Sequence, residues 1–88
     1  MFFTKEALSK ISTIGSIQPG SKYLIAKCLK DVEFKNDQII LEFGSGNGNF
    51  TAEILKRIPT STKLISFETN KKFFEYCLEK FKSHENFE

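Results

Sequence analysis

One short stretch of the sequence, residues 39–49, constrains the fold more than any other. It reads "IILEFGSGNGN", an apolar run followed by an acid and then by glycine at every second position. A short continuous apolar run is typical of a strand buried on both faces of a parallel sheet. Glycines that follow at once permit a tight turn and a close approach to the backbone. The stretch therefore predicts a buried strand that leads through a glycine loop into a helix.

Periodicity predicts the remaining elements. Apolar residues recur at helical spacing in four segments, which are residues 3–14, 24–32, 50–58 and 74–81. Ser21 can cap the second helix, and Pro59 ends the third. Leu64, Ile65 and Phe67 form a second strand that ends at Glu68. The closing residues "SHENFE" are expected to be frayed, and the phenylalanines of the last helix to lie in a core or an interface.

This order predicts an α/β fold in which two amino-terminal helices precede a βαβα unit with parallel strands. Residues 1–34 form the helical segment and residues 35–88 the βαβα unit, within a single compact domain. Two parallel strands that are apolar on both faces would leave their edges unpaired, and such edges recruit other chains. We therefore expect a homodimer or a strand-swapped oligomer.

Composition excludes several classes of protein. The 88 residues carry a net charge of only +2, without the basic footprint that nucleic-acid binding requires, so no nucleic-acid partner is expected. Cys28 and Cys77 lack a CxxC motif or a histidine at metal-ligand spacing, which favours reduced thiols over a disulfide or a metal site. The start, "MFFTKEALSK", is no signal peptide, and no segment has transmembrane length. A cytoplasmic location is the expectation.

Candidate ligand-binding residues follow both strands. Glu42, Gly44, Gly46 and Gly48 follow the first, and Glu68 and Asn70 follow the second. In parallel α/β units ligands bind beyond the carboxyl ends of the strands, and the start of the following helix attracts anions. Glu68 lies twenty residues beyond Gly48, the separation at which an acid accepts hydrogen bonds from both ribose hydroxyls. The pattern predicts an adenosine-type ligand.

Other interpretations of the loop are weaker. The dinucleotide fingerprint GxGxxG requires glycine where this chain has Asn49, and no GK[ST] follows to make a phosphate-binding P-loop. A tight turn without a ligand is the alternative that remains. His84, the only histidine, lies in the tail without a partner in the sequence, and no catalytic residue is assigned.

The pattern acid-x-G-x-G-x-G after an apolar strand, with an acid ending the next strand, resembles motif I and the acidic motif of class I S-adenosylmethionine-dependent methyltransferases. The segments "TIGSIQPGSKYLIAKCL", "IILEFGSGNGNFTAEILKRIP" and "KLISFETNKKFFEYCLEKF" are similar to the amino-terminal part of the phospholipid N-methyltransferase-like branch, and more distantly to the ribosomal RNA adenine dimethylases. This resemblance implies a partial Rossmann-like methyltransferase fold with S-adenosylmethionine as cofactor.

The resemblance also implies roles for individual residues. Glu42 and the three glycines would form the cofactor loop, Glu68 would bind the ribose, and Asn70 would lie beside it. Further cofactor contacts would come from the amino-terminal segment, through Ser16, Ile17 and Gln18.

The chain departs from the family in its extent, because a complete enzyme of this type has a larger sheet and a substrate-facing motif farther along. The resemblance therefore implies the cofactor-binding portion of a methyltransferase that acts on a phospholipid or another small amine acceptor and is inactive alone. The first helix, with Phe2, Phe3, Lys5 and Lys10, could then contact a membrane surface. The alternative is a non-enzymatic, self-associating module of the same fold; a nicotinamide-dependent oxidoreductase is disfavoured by Asn49.

Overall fold

The computed structural model describes the backbone of residues 2–3 and the whole of residues 22–88. The elements in chain order are β1 (Phe2–Phe3), α1 (Lys22–Leu29), β2 (Ile39–Phe43), α2 (Asn49–Arg57), β3 (Lys63–Phe67) and α3 (Lys71–Lys80). The predicted βαβα unit is therefore confirmed. The second helix is confirmed as well, although it ends at Leu29 rather than reaching Val32.

The sheet has the order β1, β2, β3. β2 and β3 run parallel in a register that pairs Ile39 with Lys63 and Phe43 with Phe67. Because α2 joins them, the unit is the expected strand-helix-strand crossover. β1 pairs antiparallel with β2, so that Phe2 lies opposite Glu42.

Two predictions about the ends of the chain are wrong, and so is the prediction that the edges of the parallel strands are unpaired. Phe3, which the helical pattern included, belongs to a strand, while the rest of that first helix lies outside the described residues. The tail is not frayed: it pairs in parallel with the free edge of β3, through hydrogen bonds from Leu64 N to Asn86 O and from Glu88 N to Leu64 O, both 2.8 Å. The outer edge of β2 is thus partly paired by β1, and the outer edge of β3 by the tail. Backbone N–H and C=O groups of the same chain form these hydrogen bonds.

The core lies on one face of the sheet, where the three helices meet it. Its buried apolar residues are Ile25, Leu29, Ile40, Ile54, Leu55, Ile58, Leu64, Cys77 and Phe81. Since side chains alternate along a strand, Ile40 and Leu64 point into this core and their neighbours point to the other face. There Ile39, Phe43 and Phe67 are 64%, 45% and 48% exposed. The prediction that β2 is buried on both faces is therefore wrong.

The helices follow the predicted periodicity with one exception. α2 buries Ile54 and Leu55, and basic side chains close its last turn. In α3 only Cys77 is buried, and Phe81 follows as the helix cap, whereas Phe73, Phe74 and Leu78 are exposed. Phe73 and Phe74 are therefore not part of the core that the described residues form, whereas an interface, the other place predicted for them, stays a prediction. None of the described helices is long and apolar enough to cross a membrane.

Candidate functional site

The carboxyl ends of β2 and β3 are joined at the point where both strands stop. Gly44 N donates a 2.7 Å hydrogen bond to Phe67 O, which extends the parallel ladder by one residue. The side chains of Phe43 and Phe67 stack beside it, with ring centroids 5.1 Å apart. The glycine loop and Glu68 therefore leave the sheet side by side, as the sequence predicted.

The three loop glycines differ in the space around them, although each has positive φ. For Gly44 and Gly46, at φ +78° and +54°, none of the described residues has an atom within 4 Å of the position that a Cβ would occupy. Gly48, at φ +83°, would place a Cβ only 2.8 Å from Cε2 of Phe81. The first two glycines therefore leave open space beside the backbone, while Gly48 is required by the packing of the segment after α3.

Glu68 binds the loop with one oxygen and the start of α3 with the other. Its Oε1 accepts a 2.8 Å hydrogen bond from Gly46 N, and its Oε2 accepts one of 2.8 Å from Asn70 N. These backbone donors, Asn70 first and Gly46 second, lower the pKa of the Glu68 carboxyl. Glu68 is therefore an ionised acceptor at neutral pH, and a carboxylate has about four lone-pair sites, so two donors do not exhaust it.

Glu42 is fully buried beneath the loop. Its Oε1 accepts hydrogen bonds from Thr51 Oγ1 at 2.6 Å and from Ser66 Oγ at 2.5 Å. Its Oε2 is buried without a hydrogen-bond partner among the described residues. Burial raises the pKa of the Glu42 carboxyl, against the lowering effect of the two hydroxyl donors. Glu42 thus connects β2, α2 and β3.

The remaining predicted site residues divide into two groups. The side chain of Asn70 caps α3, since its Oδ1 accepts a 3.1 Å hydrogen bond from Phe73 N. The side chain of Asn70 therefore stabilises the start of α3, while its backbone N–H donates to Glu68. Ser16, Ile17 and Gln18 lie outside the described residues.

Sequence reasoning missed Thr51, Ser66, Cys77 and Phe81 as partners of the loop region. A signal for Ser66 was present, because a hydroxyl in an otherwise apolar strand suggests a buried polar partner. Its partner is Glu42, which lies directly opposite in the parallel register. No such signal marks Cys77 or Phe81, whose apolar spacing on α3 is that of ordinary core residues.

The residues present suit an adenosine-type cofactor. The backbone at Gly44 and Gly46 admits a close approach, and the ionised Glu68 offers acceptors for hydroxyl groups. The buried Oε2 of Glu42, below the loop, is an acceptor without a partner in the described part of the chain. Unpartnered buried oxygens are rare in folded proteins. All three features lie at one end of the sheet, where a ligand of this fold binds.

The family model for ribosomal RNA adenine dimethylase matches residues 20–88. The chain belongs to this family. The predicted class, the amino-terminal portion of a class I S-adenosylmethionine-dependent methyltransferase, is thereby confirmed, and the family's cofactor is the predicted S-adenosylmethionine. The match falls on the ribosomal RNA dimethylases, the more distant of the two branches that the sequence motifs resemble.

Individual relatives include both branches. Ribosomal RNA small subunit methyltransferase A of Caldanaerobacter subterraneus is 34% identical over 65 residues, which cover 74% of this chain and 23% of that protein. Ornithine lipid N-methyltransferase of Singulisphaera acidiphila is 26% identical over 77 residues, which cover 88% of this chain and 40% of that protein. The chain spans less than half the length of either relative.

The fold agrees with a solved structure. A crystal structure of a SAM dependent methyltransferase from Aquifex aeolicus has a TM-score of 0.65 and 24% identity, and the match covers 91% of this chain and 44% of that chain. The likeness confirms the predicted partial Rossmann-like fold.

Proposed function

We propose that this chain binds S-adenosylmethionine as the cofactor-binding portion of a methyltransferase. The observation that carries the proposal is the 2.8 Å hydrogen bond between Gly46 N and Glu68 Oε1, which holds an ionised acceptor beside a backbone open at Gly44 and Gly46. Acid and loop come from separate strands, and they meet where the fold binds nucleosides.

Each residue has a distinct part in this proposal. Glu68 accepts hydrogen bonds from the ribose hydroxyls with the lone pairs that Gly46 N and Asn70 N leave unused. Gly44 and Gly46 allow the cofactor to approach the main chain. Bound S-adenosylmethionine supplies an electrophilic methyl group, and the chain's own contribution is to orient it, since positioning is a large part of catalysis in group transfer.

Calorimetric titration tests the binding. We expect S-adenosylhomocysteine and S-adenosylmethionine to bind the chain with measurable heat. If circular dichroism confirms the fold and no heat is seen at millimolar ligand, the binding proposal for this chain is wrong.

For the acceptor, we propose an amine nitrogen on a phospholipid or another small molecule. The ornithine lipid N-methyltransferase matches 88% of this chain, against 74% for the ribosomal RNA enzyme, and the net charge of +2 is small for an RNA-binding surface. The name of the lipid enzyme, an N-methyltransferase, gives nitrogen as the atom that receives the methyl group in that protein.

A chimera tests the acceptor. We propose that the chain alone is inactive, and that fusing it to the part of the Singulisphaera enzyme that it does not match restores methylation. Ornithine lipid vesicles and a small-subunit ribosomal RNA fragment are offered side by side as acceptors. Methylation of the RNA alone would overturn the lipid proposal, and methylation by the unfused chain would overturn its inactivity.

We also propose that the chain self-associates. The contact surface that we assign is the sheet face that exposes Ile39, Phe43 and Phe67, and no longer the strand edges. Apolar side chains exposed together are typical of contact surfaces.

A membrane contact through the amino-terminal residues stays a prediction, as does the cytoplasmic location. The non-enzymatic module is not favoured, because the family match places the chain among methyltransferases.

A further inference from the structure

The glycine loop rests on residues from the end of α3 and the position after it. Cys77 is 4% exposed, and its Sγ donates a 3.3 Å hydrogen bond to Gly46 O. Phe81 fills the space beside Gly48, and Lys80 Nζ lies 3.4 Å from Asn47 O. Three successive loop residues therefore contact one short stretch of chain.

Gly46 is held from both sides. Its N–H donates to Glu68 Oε1, and its carbonyl accepts from Cys77 Sγ. Because the peptide bond is planar and trans, a carbonyl directed at Cys77 turns the N–H of Asn47 to the opposite side. The hydrogen bond from the thiol therefore helps to fix the orientation of the peptide group between Gly46 and Asn47. This group adjoins the backbone that is open at Gly44 and Gly46.

We propose that Cys77 is a positioning residue for the cofactor loop, acting through its hydrogen bond to the Gly46 carbonyl. The proposal rests on the proposed cofactor binding and goes beyond it by assigning a function to a residue outside the glycine motif. Glycines lose more conformational freedom on ordering than other residues, so a loop rich in glycine gains from an external tether.

The chemistry of the thiol agrees with this role. Only the protonated form can donate to a carbonyl. Burial raises the pKa of Cys77, which keeps the thiol protonated at neutral pH. No electron transfer or bond formation is involved.

Three variants test the proposal. C77A removes the donor, C77S replaces it with a hydroxyl donor, and C28A changes the other cysteine, which is half-buried in α1 away from the loop. Affinity for S-adenosylhomocysteine is measured by calorimetry. The carbonyl carbon chemical shift of Gly46 is measured by NMR without ligand, and thermal melting reports stability separately.

We expect C77A to bind S-adenosylhomocysteine about threefold to tenfold more weakly, which corresponds to the loss of one ordinary hydrogen bond. C77S should recover the affinity to within about twofold on the same reasoning, and C28A should leave it unchanged. The Gly46 carbonyl shift should move in C77A and return towards the original value in C77S. A merely structural residue would lower the melting temperature without this pattern.

Two results would overturn the proposal. One is a C77A variant with unchanged affinity and an unchanged Gly46 shift. The other is a C77S variant that behaves like C77A in both measurements, which would assign the effect to packing alone. If the unaltered chain binds no ligand, the proposed function fails by itself, and the Gly46 shift still decides whether Cys77 orients the loop.

Discussion

Gly46 and Glu68, which are 22 positions apart, are joined by a 2.8 Å hydrogen bond from Gly46 N to Glu68 Oε1. The bond connects the loop after β2 with the acid after β3, so each element restrains the other. It also stabilises the ionised form of Glu68, whose pKa is lowered by hydrogen bonds from backbone N–H groups, that of Asn70 first and that of Gly46 second. The loop and the ribose acceptor are therefore one unit, and a change at Glu68 should affect both.

The first prediction concerns the charge of Glu68. In E68Q an amide nitrogen must face one of the two backbone N–H groups, which both need an acceptor. We expect affinity for S-adenosylhomocysteine to fall about tenfold to hundredfold, the range for hydrogen bonds to a charged group. Calorimetry measures the loss.

The exposed Glu75 of α3 offers a matched control, because E75Q removes the same charge away from the loop. It should bind as the unaltered chain does. Equal losses in E68Q and E75Q would contradict a specific role for Glu68.

The second prediction separates the loop glycines. G44A places a Cβ in open space and costs only the strain of positive φ, about 1–2 kcal/mol. G48A has the same strain and also drives a Cβ into Phe81, which adds about 1–3 kcal/mol of overpacking. Urea denaturation should therefore show G48A to be the less stable of the two.

A double-mutant cycle identifies the cause. If the Phe81 ring is the obstacle, F81L should cost less in the G48A background than alone, with a coupling of about 1 kcal/mol or more. Additive effects would show that the ring does not oppose the new Cβ.

The third prediction concerns pH and the buried Glu42. Because its pKa is raised in the folded chain, the folded state binds more protons than the unfolded one. The contribution of Glu42 to the free energy of unfolding should therefore fall as pH rises above 4.5, the ordinary value, and through the raised value. E42Q does not titrate, so it should be close to the unaltered chain at low pH and become relatively more stable as pH increases.

Chemical denaturation of both proteins over a pH series measures this difference. Glu68 and Glu53 have lowered pKa values, so they favour folding at higher pH, but they are present in both proteins and cancel. If E42Q instead became relatively less stable as pH rises, the prediction would be wrong. That result would show that the folded chain stabilises Glu42 as a carboxylate.

The fourth prediction concerns the exposed sheet face. The stacked pair of Phe43 and Phe67 should contribute to association between copies, since both rings are about half exposed on that face. Sedimentation velocity over micromolar concentrations should show a dimer for the unaltered chain and a monomer for F43S/F67S. F73S, which changes an exposed phenylalanine on α3, should still dimerise. A monomeric unaltered chain would contradict the proposal.

Much of the fold was predictable from local pattern. The stripe on α2 has the period of a helix, and the short apolar runs of β2 and β3 have the length of a strand and lie between turn residues. Predictions failed where the answer depended on contacts distant in sequence. The tail has no strand pattern of its own and becomes ordered because β3 offers it an unpaired edge.

The site divides in the same way. By itself the sequence determined the glycine loop, the acid at the end of the second strand and the family to which they point, because residue type and spacing encode them. Only the tertiary structure decided that Gly48 serves packing, that Glu42 is buried under the loop and that Cys77 holds the Gly46 carbonyl. The physical reason is that these properties arise from atoms 9 to 33 residues apart that folding brings together, and no local period records them.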